Sequence, residues 1–236
     1  MGEDSGIADR IRTVRARVAA AARDAGRSPA DVAIVAVAKT HGAAAVEAAL
    51  GAGQLVFGEN RVQEAQAKYP SLRQRHPDLR LHLIGPLQSN KVKLALELFD
   101  VIHTLDRPKL AAALAGLRSS SPSLPALYVQ VNTGLEPQKS GIAPADAVAF
   151  VRHCVDALGL PVVGLMCIPP VDVDPIPHFA LLRELGRESG LGRLSMGMSD
   201  DFEAAVRLGA TEVRVGSAIF GGRAGAQEAG PVPPAQ

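Results

Sequence analysis

At 236 residues the chain is long enough for one large domain or two small ones. Its 25 basic residues nearly balance its 24 acidic ones and aromatics make up only 3%, so it lacks the basic stripe and stacking rings of a nucleic-acid surface. Two cysteines without zinc-type spacing, no apolar run of the ~18 residues that span a membrane, and a charged N-terminus without a signal-peptide core point to a cytoplasmic, membrane-free protein with reduced thiols.

Taken in chain order, Ile7, Ile11, Val14 and Val18 recur at helical spacing and predict a first helix that ends near Gly26. Eight short apolar runs follow: VAIVAVA (32–38), LVFG (55–58), LHLIG (81–85), VIHT (101–104), ALYVQV (126–131), VVGLM (162–166), LSMGM (194–198) and EVRVG (212–216). The gaps hold helical patterns such as RVQEAQAKY, NKVKLALELF and ADAVAFVRHCVDALG. Strands this apolar, each followed by a helix, predict a single-domain (β/α)8 barrel over residues 1–221, with a doubly wound open sheet as the alternative. SSSPSLP (119–125) and IPPVDVDPIP (168–177) read as irregular, and residues 222–236 as a disordered tail.

Alternation along the first strand turns Ala33, Val35, Val37 and Lys39 to the barrel interior and Val32, Ile34, Ala36 and Ala38 to the helices. Lys39 then stands at the C-terminal mouth, where low-dielectric walls would favour the neutral amine that attacks a carbonyl. On the last strand Arg214 and Gly216 face inward, and barrel closure makes that strand the neighbour of the first. Two inward cations at one mouth call for an anionic ligand. Barrels commonly bind phosphate through the loops after strands seven and eight, here MGMSDD (196–201) and GSAIFGG (216–222), where Ser199 reads as the N-cap of the helix DDFEAAVRLG. A carbonyl-reactive lysine, an inward arginine and a phosphate cradle together describe a site for pyridoxal 5'-phosphate.

VAVAKTH, FGENRVQEA, HLIGPLQSNKVK, VNTGLEPQKSGI, GLMCIPP and LSMGMSDDFEAAVRLGATEVRVGSAIFG, in this order from about residue 7 to 221, resemble the pyridoxal-phosphate homeostasis protein family, which is similar to the N-terminal barrel of alanine racemase. The resemblance implies a cytosolic, usually monomeric barrel that carries the cofactor on a lysine and serves vitamin B6 balance, with apo-enzymes as possible acceptors. It implies Lys39 as the Schiff-base lysine, Asn60 beside the ring, Arg214 at the pyridine nitrogen, and Ser199, Gly216 and Ser217 on the phosphate. His82 and Met196 complete the implied cofactor-binding set. Arg61 and Leu81 depart from the family's tyrosine and tryptophan.

A racemase, the alternative function, needs a second base opposite the lysine, which in alanine racemase is a tyrosine from a separate domain. Of the two tyrosines here, Tyr69 falls at the end of the helix after strand two, and Tyr128 lies toward the closed bottom of the barrel. An arginine at the pyridine nitrogen also weakens the electron sink that catalysis on the α-carbon requires. A carrier is therefore expected, with no catalytic residue. A phosphosugar enzyme with a Schiff-base lysine is a further alternative. His82 and His103 share the inward parity without a third ligand at metal spacing, so no metal is expected. Lys139 reads as a solvated loop lysine or a second anion contact, Cys167 as accessible, and Cys154 as an apolar helix position.

Overall fold

The computed structural model describes residues 2–118 and 123–221. Residues 119–122 of the SSSPSLP stretch and the expected tail, 222–236, lie outside the described residues.

Eight parallel strands, β1 (Ala33–Val37), β2 (Val56–Glu59), β3 (Arg80–Leu83), β4 (Val101–Leu105), β5 (Ala126–Val131), β6 (Val162–Cys167), β7 (Arg193–Ser195) and β8 (Glu212–Val215), close into a barrel in sequence order. This excludes the open doubly wound sheet. The helices are α1 (Gly2–Asp24), α2 (Ala43–Gly51), α3 (Val62–Arg75), α4 (Val92–Leu98), α5 (Pro108–Gly116), α6 (Pro144–Arg152), α7 (Ile176–Glu188), α8 (Phe202–Arg207) and α9 (Ser217–Phe220). Closure pairs Val35 with Arg214 and Ala36 with Val215, so β8 lies beside β1 as the parity argument requires.

The alternation in the strands separates two cores. Ala36, Phe57, Leu81, Ile102, Leu127, Leu165, Val213 and Val215 point outward and merge with the apolar faces of the helices into one large cluster. Inside the barrel a small cluster of Val101, Tyr128 and Met166 is accompanied by buried polar groups, His82, His103, Gln130, Ser195, Glu212 and Arg214. An interior holding this many polar groups stays stable only if they are hydrogen-bonded to one another.

α1 buries Ile7, Ile11, Val14 and Val18, the residues its periodicity selected, but begins at Gly2 instead of Ile7. Its arginines reach carbonyls at neighbouring helix ends. Arg15 donates to Ala52 O at 3.1 Å and Gly53 O at 2.7 Å, and Arg10 Nε to Ile219 O at 2.6 Å. Cations suit these positions because helix C-termini carry unpaired carbonyls and a partial negative charge. The irregular stretch after β6 is shorter than expected, since α7 begins at Ile176. Its prolines Pro175 and Pro177 occupy the helix start, where a missing N–H costs no intrahelical bond.

Candidate functional site

Beyond β1 the chain turns sharply. Lys39 is exposed on this turn, and Thr40 follows at φ 65°, a left-handed conformation uncommon for a residue other than glycine. The walls expected around Lys39 are therefore absent, and its amine is open to solvent. The backbone beneath it is braced from behind. Lys68 Nζ donates to Ala38 O at 2.9 Å and to Glu59 Oε1 at 2.7 Å, and Tyr69 donates to the same carboxylate oxygen at 3.1 Å. Glu59 is fully buried on the helix side of β2, and burial raises its pKa despite the bonds from Lys68 and Tyr69. On the other side, the His41 ring stacks on Phe220 with centroids 5.1 Å apart, tying the β1 turn to α9. None of these braces was legible in the sequence, because nothing in RVQEAQAKY sets Lys68 apart from an ordinary helix-surface lysine.

Asn60 follows β2 and is half-buried. Its backbone is fixed by close approach of Gly85, where a Cβ would lie 2.2 Å from Asn60 O. Gly85 is itself held, because its carbonyl accepts from Thr104 Oγ1 at 2.8 Å.

The loops after β7 and β8 meet through one hydroxyl. Ser199 Oγ accepts from the backbone N–H of Gly216 at 3.3 Å and of Ala218 at 3.4 Å. Ser199 is thus not the N-cap of α8. That position belongs to Asp201, whose Oδ1 accepts from the Met198 N–H. Ser199 instead ties the loop after β7 to the turn that opens with Gly216 and Ser217. Ser217 is exposed, and a Cβ on Gly216 would lie 3.4 Å from the Val37 side chain and carbonyl.

Arg214 is buried and points inward. Its NH1 donates to Ser195 Oγ at 2.6 Å and its NH2 to Cys167 O at 2.8 Å. Both partners are neutral, and burial lowers its pKa from the usual arginine value. Below it, Ser195 Oγ lies 2.8 Å from His103 Nδ1, and His103 Nε2 lies 3.0 Å from His82 Nδ1. Glu212 comes within 3.5 Å of His82 and 3.3 Å of His103, and its other oxygen accepts from the Tyr128 hydroxyl. A third residue thus does join the histidine pair, supplied by β8 across the barrel, where no spacing rule would look for it.

The other expected residues fall as follows. His82 belongs to this interior network. Met196 is fully buried among the apolar residues between barrel and helices, with its parity opposite to that of Ser195. Lys139 is no solvated lysine, because it pairs with Glu136 at 2.7 Å and donates to Pro169 O at 3.3 Å. Cys167 is fully buried, against the expected accessibility, and burial pushes its thiol up to about 12. Cys154, also fully buried, lies in the wider turn that continues α6.

The network has a definite pH signature. Burial alone would raise the Glu212 pKa. The nearness of His82, the charge of the two histidines and the bond from Tyr128 outweigh it and hold the carboxyl at about 2, below its ordinary 4.5. A depressed carboxylate stabilises the fold above its unfolded pKa and loses that contribution between about pH 4.5 and 2, here on the order of 3 kcal/mol. Burial, followed by the neighbouring His82, holds His103 well below 6.5, so its contribution is complete above that pH and declines below it. In EDTA-containing buffer, urea unfolding should therefore lose stability below pH 6.5 and most steeply below 4.5. Glu212→Gln should flatten the lower part, and parallel profiles for the two proteins would refute the assignment.

The closed parallel barrel, with its lysine directly after the first strand, is matched by the family model of the alanine racemase N-terminal domain. That family model matches residues 10–224. The chain belongs to this family and, within it, to the pyridoxal phosphate homeostasis proteins. The protein of that name from Pseudomonas aeruginosa is 47% identical, covering 93% of this chain and 96% of the relative. The one from Escherichia coli is 40% identical over 92% and 97%. Among solved structures, PipY of Synechococcus elongatus is described both without and with PLP bound. The first superposes with a TM-score of 0.80 at 40% identity, covering 91% of this chain and all of that one. The second gives 0.78 at 39% identity. Alanine racemase from Corynebacterium glutamicum, at 20% identity and TM-score 0.63, shares the fold.

Proposed function

We propose that this chain binds pyridoxal 5'-phosphate at the barrel mouth and serves as a carrier and regulator of the cofactor within the cytoplasm, without turning over an amino acid. The observation that carries the reading is the junction of β1 and β8, where Lys39, the Ser199-bonded amides of Gly216 and Ala218, and the buried Arg214 belong to adjoining strand ends. The donor set fits the group: a free primary amine for an aldehyde, amide and hydroxyl donors for a phosphate, and a guanidinium whose existing partners are neutral for a ring nitrogen. The homology supports the same cofactor, since PipY with PLP bound covers nearly the whole chain.

When bound, the cofactor supplies an aldehyde that condenses with an amine and a ring that withdraws electrons. Lys39 would hold it covalently, from a turn kept in place by Lys68. Asn60 would lie beside the ring, Ser199, Gly216 and Ser217 would hold the phosphate, and Arg214 would donate to the ring nitrogen. A donor that stays protonated leaves that nitrogen without a proton and weakens the electron sink.

The placement of the two tyrosines further favours a carrier. Both tyrosines are fully buried with their hydroxyls on carboxylates, Tyr69 on Glu59 and Tyr128 on Glu212, and burial with those carboxylates raises both pKa values. Neither presents a phenolate to a substrate at the mouth. An exposed amine also suits hand-over to apo-enzymes acting as acceptors.

Incubating the purified chain with pyridoxal phosphate should generate a visible absorption band that borohydride fixes onto one lysine, and the loaded chain should restore activity to an apo-enzyme. A chain that takes up none of the cofactor would overturn the binding assignment. Racemisation of a free amino acid at ordinary turnover, roughly 1 s⁻¹ or faster, would overturn the carrier assignment.

A further inference from the structure

We propose that His82, His103 and Glu212 form a binding site for one divalent transition-metal ion, zinc by its donor set, in the interior of the barrel beneath Arg214. The three residues come from β3, β4 and β8, are all buried, and bring one ligand atom each within 4.8 Å of the others. The separations are 3.0 Å between His82 Nδ1 and His103 Nε2, 3.3 Å between His103 Nε2 and Glu212 Oε2, and 3.5 Å between His82 Nδ1 and Glu212 Oε2. Zinc bonds to imidazole nitrogen and carboxylate oxygen at about 2.0–2.2 Å, so two ligands of a tetrahedral ion lie about 3.3–3.5 Å apart. The three atoms already mark out one face of such a tetrahedron. Two histidines and a glutamate are a known zinc donor set.

Hydrogen bonds alone do not satisfy this arrangement. Glu212 Oε2 is buried and makes no hydrogen bond. A single proton between the two facing nitrogens serves one pair and leaves the carboxylate oxygen without a donor. A cation meets all three lone pairs at once.

The groups behind the ligands are those a metal site needs. The second nitrogen of His103 is bonded to Ser195 Oγ at 2.8 Å, and the second oxygen of Glu212 accepts from the Tyr128 hydroxyl. Such outer contacts fix ring orientation and ligand direction. Arg214 is the nearby unfavourable charge. It bonds Ser195 Oγ, which in turn contacts His103, and the Glu212 carboxylate offsets part of the ion's charge.

The site shares His82 with the implied cofactor-binding set and is linked to Arg214 through Ser195, so cofactor content is measured alongside metal in the same samples. Full-length protein from zinc-supplemented cells, passed over a chelating resin, should retain about one zinc per chain, and Glu212→Gln should retain roughly tenfold less or lower. That variant keeps the shape of the side chain, and its circular dichroism should match that of the wild type. Wild-type protein produced with cobalt should show the visible d–d bands of a four-coordinate ion, which are lost in His103→Gln. Wild type that holds neither zinc nor a cobalt band overturns the proposal even if the variants misfold. Equal metal in wild type and Glu212→Gln overturns it too, by locating the ion elsewhere.

Discussion

Lys39→Ala should abolish borohydride-stable labelling by pyridoxal phosphate and the visible band of the loaded chain, while the thermal midpoint of the cofactor-free protein moves by no more than about 2 °C. The first half follows from chemistry, since no other amine stands on a strand end beside the Gly216 turn among the described residues. Lys68 is committed to Glu59 and Ala38 O, and Lys139 to Glu136 and Pro169 O. The second half follows from exposure. Lys39 is exposed, and the turn is held through the Ala38 carbonyl and the His41 ring, which the substitution leaves in place. Weak, colourless binding through the phosphate loop should survive. Undiminished labelling in the variant, mapped to another lysine by mass spectrometry, would sink the assignment.

Gly85→Ala should be the most damaging small substitution near the mouth. The new methyl group would sit 2.2 Å from Asn60 O, 2.7 Å from its Cα and 2.8 Å from its carbonyl carbon, all backbone atoms that cannot rotate away. The Gly85 carbonyl is anchored to Thr104, so either the end of β2 or the end of β3 has to shift. Overpacking of this kind typically costs about 1–3 kcal/mol. For a chain of this size the midpoint should fall by roughly 5–10 °C. Because Asn60 is displaced, cofactor affinity should fall with it, which a general loss of stability measured well below the midpoint would not produce. An unchanged midpoint would refute the close contact.

Both predictions rest on features that differ in how far the sequence revealed them. Lys39 was legible, because an uninterrupted apolar run that ends in a lysine fixes its face by simple alternation. Gly85 was not. Nothing in HLIGPLQ says that the carbonyl of Asn60, from another strand, lies against that glycine. Likewise Ser199 reads as a helix cap by local rules, and it became a brace of the Gly216 turn only when β7 and β8 were brought together. Lys39 follows the end of β1, as the run led one to expect, but is exposed instead of walled in, since alternation gives direction and says nothing of how far the chain has risen above the barrel.

The closure that makes β8 the neighbour of β1 was an expectation held beside an open sheet, while the sequence by itself determined the alternating strands and helices and the inward set containing Arg214, His82 and His103. These follow from periodicities of 2 and 3.6 residues, which are local properties of the chain. Only the tertiary structure decided which inward groups meet. Glu212 joins His82 and His103, Lys68 holds the carbonyl before Lys39, and both tyrosines end on buried carboxylates. Those contacts depend on strand stagger and on the closure of the barrel, which set the height of each side chain relative to partners distant in sequence.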